Sequence, residues 1–292
     1  MPKTLIVLGS ANRDYTVVVE RQPLPGETVL GGALTVAMGG KGANQAVAAA
    51  RAGATPVFVL AVGSDSVGAD TLAELEARGV DVSHARTVDA STGVALITVS
   101  ADGENTIVVA PGANSVLDAA DVAKVVGSLA DESSVLLCQL EISPEVVSAA
   151  ATQIEKAGGR FVLNLSPSRY VSPKLLGLAD PLILNETEAA DLASSTIDSP
   201  ADALTVAKRL LATSRSVVIT LGSDGAIIAD SSGVSHTPAE RVKVVDTTGA
   251  GDAFAGALAA ALVAGGTLAS AVTAGISAGS AAVQHPGAQP PL

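Results

Sequence analysis

The sequence predicts an α/β fold, with a mostly parallel central sheet, helices on both faces and a small β-sheet standing apart. Two observations carry this expectation. Short apolar runs alternate with helical stretches along most of the chain, as parallel strands do when they are buried on both faces and joined by crossover helices. Two regions break the alternation with strand-like segments that no helix separates, so they fall outside the crossover pattern.

Taken in order, Leu5 to Leu8 is an apolar run ending at Gly9, a buried strand. Tyr15 to Glu20 reads as a strand of the separate sheet. Gln45 to Arg51 reads as a helix rich in small residues, Val57 to Val62 as a strand and Thr71 to Arg78 as a helix. Gly93 to Ser100 and Asn105 to Val109 complete the small sheet as antiparallel strands, with Asp102-Gly103 between them as a hairpin turn. Further strands are expected at Val135 to Leu140, Phe161 to Leu165, Leu182 to Leu184, Val217 to Leu221 and Val242 to Val245. Helices are expected at Pro144 to Lys156, Glu186 to Leu192, Ala201 to Ala212 and Ala253 to Ala264. The small sheet needs something to cover its apolar face. A lid over a substrate, or a lid that also pairs with a second subunit, competes with a plain edge extension of the central sheet. No repeat or low-complexity linker divides the chain, so residues 1–292 read as one domain, with lid strands drawn from about 13–37 and 85–110.

Composition excludes several functions. Hydrophobic residues make up 48% of the chain but aromatics only 2%, with no Trp, so the core is built from Ala, Val and Leu. Base stacking on aromatic platforms is then a poor main function. A net charge of −12 lacks the basic footprint of a nucleic-acid partner and serves solubility. An anionic ligand must rely on backbone amides, metal ions and a few local cations. Cys138 is the only cysteine and sits in an apolar run, a buried thiol. His84, His236 and His285 have no metal-ligand spacing. Met1-Pro2-Lys3 runs directly into a strand and the longest clean apolar run, Ala253 to Ala264, is short, so a soluble, cytoplasmic protein without a leader or membrane partner is expected.

The most informative stretch is Asp246-Thr247-Thr248-Gly249-Ala250-Gly251-Asp252-Ala253-Phe254-Ala255-Gly256. Small residues at Gly249, Ala250 and Gly251 let the backbone approach a ligand closely. The amides that open the following helix have no partner within it, and the helix dipole favours an anion there. Asp252 in that turn could be only a first-turn acid. The glycines before it have no capping purpose, which favours a base that accepts a proton from an attacking hydroxyl while the amides of Ala250, Gly251 and Asp252 neutralise a phosphoryl group. As an unperturbed carboxyl at a helix start, it should be ionised at neutral pH.

Other polar residues fall at the carboxyl ends of predicted strands, where open parallel sheets bind ligands. Asn12 and Asp14 follow the first strand, Glu141 follows Val135 to Leu140, and Asn185 and Glu188 follow Leu182 to Leu184. Thr220-Leu221-Gly222-Ser223-Asp224-Gly225 closes the strand at Val217. Upstream, Gly39-Gly40-Lys41-Gly42-Ala43-Asn44-Gln45-Ala46 brings glycines, a cation and an amide together. Asn12, Asp14, Lys41, Asn44 and Glu141 suit a polyhydroxylated ligand, because each sugar hydroxyl both donates and accepts. The plainer reading of Asn44 is an N-cap, and that of Glu188 an ordinary first-turn acid.

The two glycine-rich motifs, in this order, resemble the signatures of the ribokinase-like (phosphofructokinase-B type) sugar kinases, and the resemblance runs from Ile6 to Pro290. It implies that family's three-layer fold with a β-lid, a homodimer formed through the lid, and phosphoryl transfer from ATP to a sugar with Asp252 as base. Asn12, Asp14, Gly40, Lys41, Gly42, Asn44, Glu141 and Asp252 would hold the sugar. Asn185, Thr220 to Gly225, Gly251 and Asp252 would meet ATP, and Glu188 would reach Mg²⁺ through water. The form Gly-Gly-Lys-Gly-Ala-Asn-Gln-Ala, with Asn12-Arg13-Asp14 upstream, is most similar to the members that phosphorylate D-ribose at the 5-hydroxyl in ribose catabolism. Asp246, Thr248, Ala282, His285, Gly287 and Pro291 match positions that hold an activating K⁺, largely through carbonyl oxygens. Two departures stand out. Ile276 replaces an Asn or His that some relatives place beside the base, and relatives usually continue past the position of Leu292 with a final helix. Alternatives are a kinase of fructose, deoxyribose or a nucleoside, a non-catalytic sugar-binding regulatory protein, and a nicotinamide-dependent sugar dehydrogenase. The loop from Gly9 to Asp14 lacks the Gly-x-Gly-x-x-Gly fingerprint of the last.

Overall fold

The apolar runs assemble into an eight-stranded sheet in a computed structural model that describes residues 3–289. In chain order the first elements are β1 (Leu5–Leu8), β2 (Asn12–Val19), β3 (Leu34–Gly39), α1 (Lys41–Arg51), β4 (Val57–Val59), β5 (Ala61–Gly63), α2 (Ser66–Ala77), β6 (Arg86–Val88), β7 (Gly93–Ser100) and β8 (Asn105–Ala110). There follow α3 (Ala119–Leu129), β9 (Val135–Cys138), α4 (Pro144–Lys156), β10 (Arg160–Asn164), α5 (Pro173–Leu176), β11 (Leu182–Asn185), α6 (Glu186–Ala193) and α7 (Pro200–Leu210). The chain continues with β12 (Val217–Thr220), β13 (Ala226–Asp230), β14 (Gly233–Thr237), α8 (Ala250–Val263) and α9 (Leu268–Ala282).

The central sheet has the order β14-β13-β12-β11-β10-β9-β1-β4. Every neighbouring pair from β12 to β4 is parallel, and only the β12–β13 and β13–β14 pairs are antiparallel. Alternation within each strand feeds two cores. Ile6, Leu8, Leu136 and Cys138 point to the layer of α3 to α7, while Leu5, Val7, Val135 and Leu137 point to α1, α2, α8 and α9. All three Phe residues are buried, yet Ala, Val and Leu dominate both layers. Burying each large aliphatic side chain contributes about 1.5–3 kcal/mol, so runs such as Leu5–Leu8, buried at every residue, fix the strand positions. Helix starts are set by side-chain caps: Asp65 on Gly68, Asp118 on Ala120 and Asp121, Ser143 ahead of Pro144, Ser199 ahead of Pro200 and Thr267 on Ser270.

From β1 the chain goes first to β4 on one side and only later to β9 on the other. That reversal opens a crevice beyond the carboxyl ends of β1 and β9. A second sheet, β3-β2-β7-β8, rises from the same end, because β2 begins at Asn12, just past β1.

Several sequence expectations are corrected. The run Val57 to Val62 is two strands, since after Leu60 the chain leaves the central sheet and β5 pairs in parallel with β6. An apolar run reads the same whether one sheet uses it or two. In the small sheet β2 and β7 are parallel, because the chain returns to β7 through α1 and α2; only β2–β3 and β7–β8 are antiparallel. Val242 to Val245 forms no strand. The Val245 and Asp246 amides donate to the Val283 carbonyl at 2.7 and 3.2 Å, so the segment hangs on the end of α9. α1 starts at Lys41 with Gly40 as its N-cap, which makes Asn44 a residue of the first turn rather than a cap. α8 starts at Ala250, three residues before the predicted helix.

Candidate active site

The crevice is built from the strand ends inward. Ser10, just past β1, donates its hydroxyl to Glu141 Oε2 at 2.6 Å, and the same oxygen accepts the Lys41 amide at 2.9 Å. Glu141 therefore caps α1 from across the sheet, where Gly40 has no side chain to do so. Asn12 and Asp14 share one face of β2. Asn12 Oδ1 accepts from Asn114 Nδ2 at 2.8 Å, and Asn114 also pairs with both backbone groups of Ala11. Arg13, on the opposite face, pairs with Glu74 of α2 at 3.1 Å and ties the lid base to the main body.

Asp14 Oδ1 is buried without a hydrogen-bond partner, an acceptor aimed at a donor the protein does not supply. Burial pushes the Asp14 carboxyl up to about 6, Glu141 adds to the rise, and Arg13 opposes it. The carboxylate form therefore dominates above pH 6 and the acid form below. If sugar hydroxyls donate to this oxygen, KM for the sugar should fall as pH rises through about 6 and level off above it. Steady-state kinetics across pH would show this, and Asp14→Asn should remove the inflection; an inflection that persists in the variant would assign it elsewhere.

Asp252 sits in the first turn of α8 and is 7% exposed. Its Oδ2 accepts from Asn44 Nδ2 at 3.0 Å and its Oδ1 from Gln45 Nε2 at 2.9 Å, so the two glycine-rich motifs meet at this carboxylate. Burial raises its titration point; Lys41 and the two amides pull it down, and Glu141 pushes it up again, for a net rise. The expectation of an unperturbed carboxyl is corrected, because desolvation outweighs the helix terminus.

Gly249 is the N-cap of α8, with φ 75°, and no side chain caps this helix. The Ala250 amide turns back to the Thr247 carbonyl at 3.2 Å, leaving the cradle to Gly251 and Asp252. Nothing lies within 4 Å of a Cβ built on Gly251. A cavity of about 200 Å³ opens there, lined by Lys41, Asn164, Ser166, Asn185, Glu188, Thr220, Gly249, Gly251 and Asp252. Asn185 and Glu188 form a reciprocal capping box, Glu188 amide to Asn185 Oδ1 at 2.8 Å and Asn185 amide to Glu188 Oε2 at 2.9 Å. Glu188 is thus a first-turn acid that also stands on the cavity wall.

A second cavity, about 400 Å³, continues from Thr220 and Gly251. Thr220, Gly222, Ser223 and Gly225 line one side, and Val242, Val244, Phe254, Ile276 and Val283 supply an apolar wall. Leu221 is packed in the core instead, and Asp224 does not reach the lining. Ile276 faces the cavity as part of the apolar wall. The segment expected as a strand at Val242 is therefore part of a groove, which a sequence run of valines could not reveal.

Asp246 accepts the Thr248 amide at 2.8 Å and the Gly287 amide at 2.7 Å. Burial works upward on its carboxyl, but these hydrogen bonds prevail and hold it below the usual range. Ala282, His285 and Gly287 lie in the end of α9 and the turn beyond it, while Pro291 lies outside the described residues. Among the described residues no three His, Cys, Asp or Glu side chains cluster to hold a metal. No described helix is long and apolar enough to cross a membrane. Cys138 is fully buried, and burial drives its thiol far upward.

Sequence reasoning passed over Ser10, Gln45, Asn114, Gln139 and Asn164. Gln139 and Asn164 carried a signal: each is a polar residue inside an otherwise apolar strand run.

Residues 2–292 match the pfkB family of carbohydrate kinases. The chain is 40% identical over 265 residues to a ribokinase of Haemophilus influenzae, covering 90% of this chain and 86% of that one. It is 39% identical over 260 residues to a ribokinase of Mus musculus, covering 87% and 80%. The solved structure of Arabidopsis thaliana ribokinase complexed with ribose and ATP superposes with a TM-score of 0.90 at 30% identity, over 99% of this chain and 95% of that one.

Proposed function

The chain belongs to the pfkB family of carbohydrate kinases, and we propose that it transfers the γ-phosphoryl group of ATP to the 5-hydroxyl of D-ribose, giving D-ribose 5-phosphate and ADP. One observation carries the reading: the buried Asp252 carboxylate, held by Asn44 and Gln45 from the upstream motif, opens the helix whose first turn lines a cavity. Asp14, Asn12, Glu141, Lys41 and Asn44, with the backbone of Gly40 and Gly42, orient the sugar. Asp252 accepts the proton of the attacking hydroxyl as the bond to phosphorus forms, and the amides of Gly251 and Asp252 stabilise charge on the transferred group. Lys41 supplies a cation on the wall of the cavity beside Asp252. ATP lies along Thr220, Gly222, Ser223 and Gly225, its phosphates towards Asn185 and its base on the apolar wall around Ile276.

Glu188, a carboxylate on the wall of the phosphate cavity, fits Mg²⁺ held through water, and the ion bound there would neutralise phosphate charge. Asp246 fits K⁺ differently. Both its oxygens already tie the Thr248 and Gly287 loops together, so an ion would be met by Asp246 and by carbonyls of Thr248, Ala282, His285 and Gly287. Because Gly249 packs on Ala288 of the same loop, filling this site would firm the amide cradle without touching substrate. Activity is expected to rise with K⁺ at constant ionic strength, against Na⁺ or a large organic cation. Equal rates in all three would remove the site.

The whole chain acts as one kinase domain with a β-lid. Val36, Leu96, Ile107, Val108 and Val109 are each about half exposed on that sheet. Such a surface suits pairing with the lid of a second copy, and light scattering that gave a monomer would exclude a homodimer. With ATP as donor, the working place is the cytoplasm, a point for cell fractionation. Phosphorus NMR of a mixture with D-ribose and ATP should show D-ribose 5-phosphate and ADP. Phosphate at another carbon, or free inorganic phosphate alone, would contradict the assignment.

A further inference from the structure

A chain of buried amides runs behind Asp252. Gln45 Nε2 donates to Asp252 Oδ1 at 2.9 Å and to Asn164 Oδ1 at 3.0 Å, so both its hydrogens are committed. Gln45 Oε1 accepts from Gln139 Nε2 at 2.7 Å. Gln45 and Gln139 are both wholly buried. The far end of this chain is unpaired: Gln139 Oε1 has no hydrogen-bond partner and presses on Gly9, where an added Cβ would lie 2.0 Å from it. A buried acceptor left without a donor is costly. Turning the Gln139 amide over would not relieve it, because its oxygen would then face Gln45 Oε1. A flipped Gln45 would in turn set its oxygen against Asp252 and Asn164. Only one orientation of the chain is therefore consistent, and it leaves the unpaired atom at the end remote from the carboxylate.

The backbone is shaped to keep these groups in reach. Gly256 lies one turn after Asp252 on the same stripe of α8. A Cβ there would come within 2.4 Å of the Gln45 carbonyl and 2.7 Å of Ala48 Cβ. The close approach of α1 and α8 at this glycine lets the short amide of Asn44 and the longer one of Gln45 both reach Asp252.

We infer that Gln139 and Gln45 are positioning residues for the phosphoryl transfer: Gln139 fixes the amide of Gln45, and Gln45 fixes Asp252 Oδ1, so that the carboxylate keeps one rotamer and its anionic form in a buried site. This rests on Asp252 acting as the base of the proposed kinase. The charged groups around the carboxylate are Lys41 of α1 and Glu141 beyond β9, with Glu188 of α6 on the same cavity wall. None of them touches Gln139 in a hydrogen bond or ion pair, so a change there reaches Asp252 through Gln45.

The test uses Gln139→Met, which keeps side-chain length. It exchanges one unpaired amide oxygen for another, so the thermal midpoint should stay near the parent's. Carboxyl-carbon NMR of the free protein, with Asp252 assigned from Asp252→Asn, should show Asp252 titrating at higher pH in Gln139→Met. That readout needs no substrate and stands apart from the choice of sugar. With D-ribose and ATP, kcat should fall about tenfold or more, its acid limb should move to higher pH, and KM for the sugar should hold. Gln45→Met should show the same shift, larger, because it removes the donor itself. An Asp252 titration and acid limb unchanged in both variants would overturn the inference. So would a parallel loss of stability and kcat without any pH shift, which would mark the two glutamines as core packing.

Discussion

Replacing Asp252 with asparagine is expected to lower kcat by about 10²–10⁴-fold, the usual contribution of a positioned general base. Asparagine keeps the size and the turn but takes no proton. Affinity for ATP should change much less, since in the proposed site backbone amides and the Thr220 to Gly225 loop would meet the nucleotide. The upward displacement of the Asp252 carboxyl strengthens it as a base, because a proton acceptor works best when its titration point nears the working pH. Below that point the acid form dominates and the rate falls, so the parent should show an acid limb in kcat that the variant lacks. Steady-state kinetics with calorimetric nucleotide binding would check both parts. A variant with near-normal kcat would reduce Asp252 to a helix-start acid.

Gly249→Ala is the second large effect. A left-handed backbone costs a non-glycine residue about 1–2 kcal/mol, and here the added Cβ would stand 2.6 Å from Ala288 Cα and 2.7 Å from its carbonyl oxygen. Backbone atoms cannot give way as a flexible side chain can, so the turn itself must shift. The Gly251 and Asp252 amides move with it, and an ångström of misplacement costs about 10²-fold in rate. Gly251→Ala makes the complementary case: its Cβ meets nothing within 4 Å, so the fold should be untouched and any loss would be loss of ligand space. Kinetics and thermal unfolding on the pair would separate the two causes. A Gly249→Ala protein with parental kcat would mean that the cradle geometry does not limit the reaction.

The parts of the fold that the sequence displayed are those where one physical cause dominates. Leu5–Leu8, Val135–Cys138 and Val217–Thr220 are buried on both faces, and continuous apolar runs announce that directly. α9 was invisible because Leu268–Ala282 is mostly Ala, Gly and Ser, whose helical stripe carries little hydrophobic contrast. The β13–β14 hairpin was missed because Ala226–Asp230 continues an apolar stretch and Gly233–Thr237 is an exposed edge. Pairing direction in the lid depends on the path through α1 and α2, which no local pattern around Tyr15 encodes. At the site, motif residues were legible where glycines mark a turn. The partners that hold them were not: Asn114 reaches Asn12 from a short 3-10 helix after β8, and Gln139, just past β9, meets Gln45 of α1 only in the assembled fold. The rise at Asp252 needed burial, a property of the assembled α1–α8 contact rather than of the turn that carries the acid.

The reading of this chain as a D-ribose kinase is tested most directly by specificity constants for D-ribose, 2-deoxyribose, D-fructose and adenosine, each with ATP and followed by coupled ADP release. The likeness to ribokinases, with Asn12, Asp14, Lys41 and Glu141 as the proposed sugar-holding set, predicts the highest kcat/KM for D-ribose. A higher kcat/KM for fructose, deoxyribose or adenosine would contradict the ribose assignment, and no ADP release with any sugar would contradict the kinase itself.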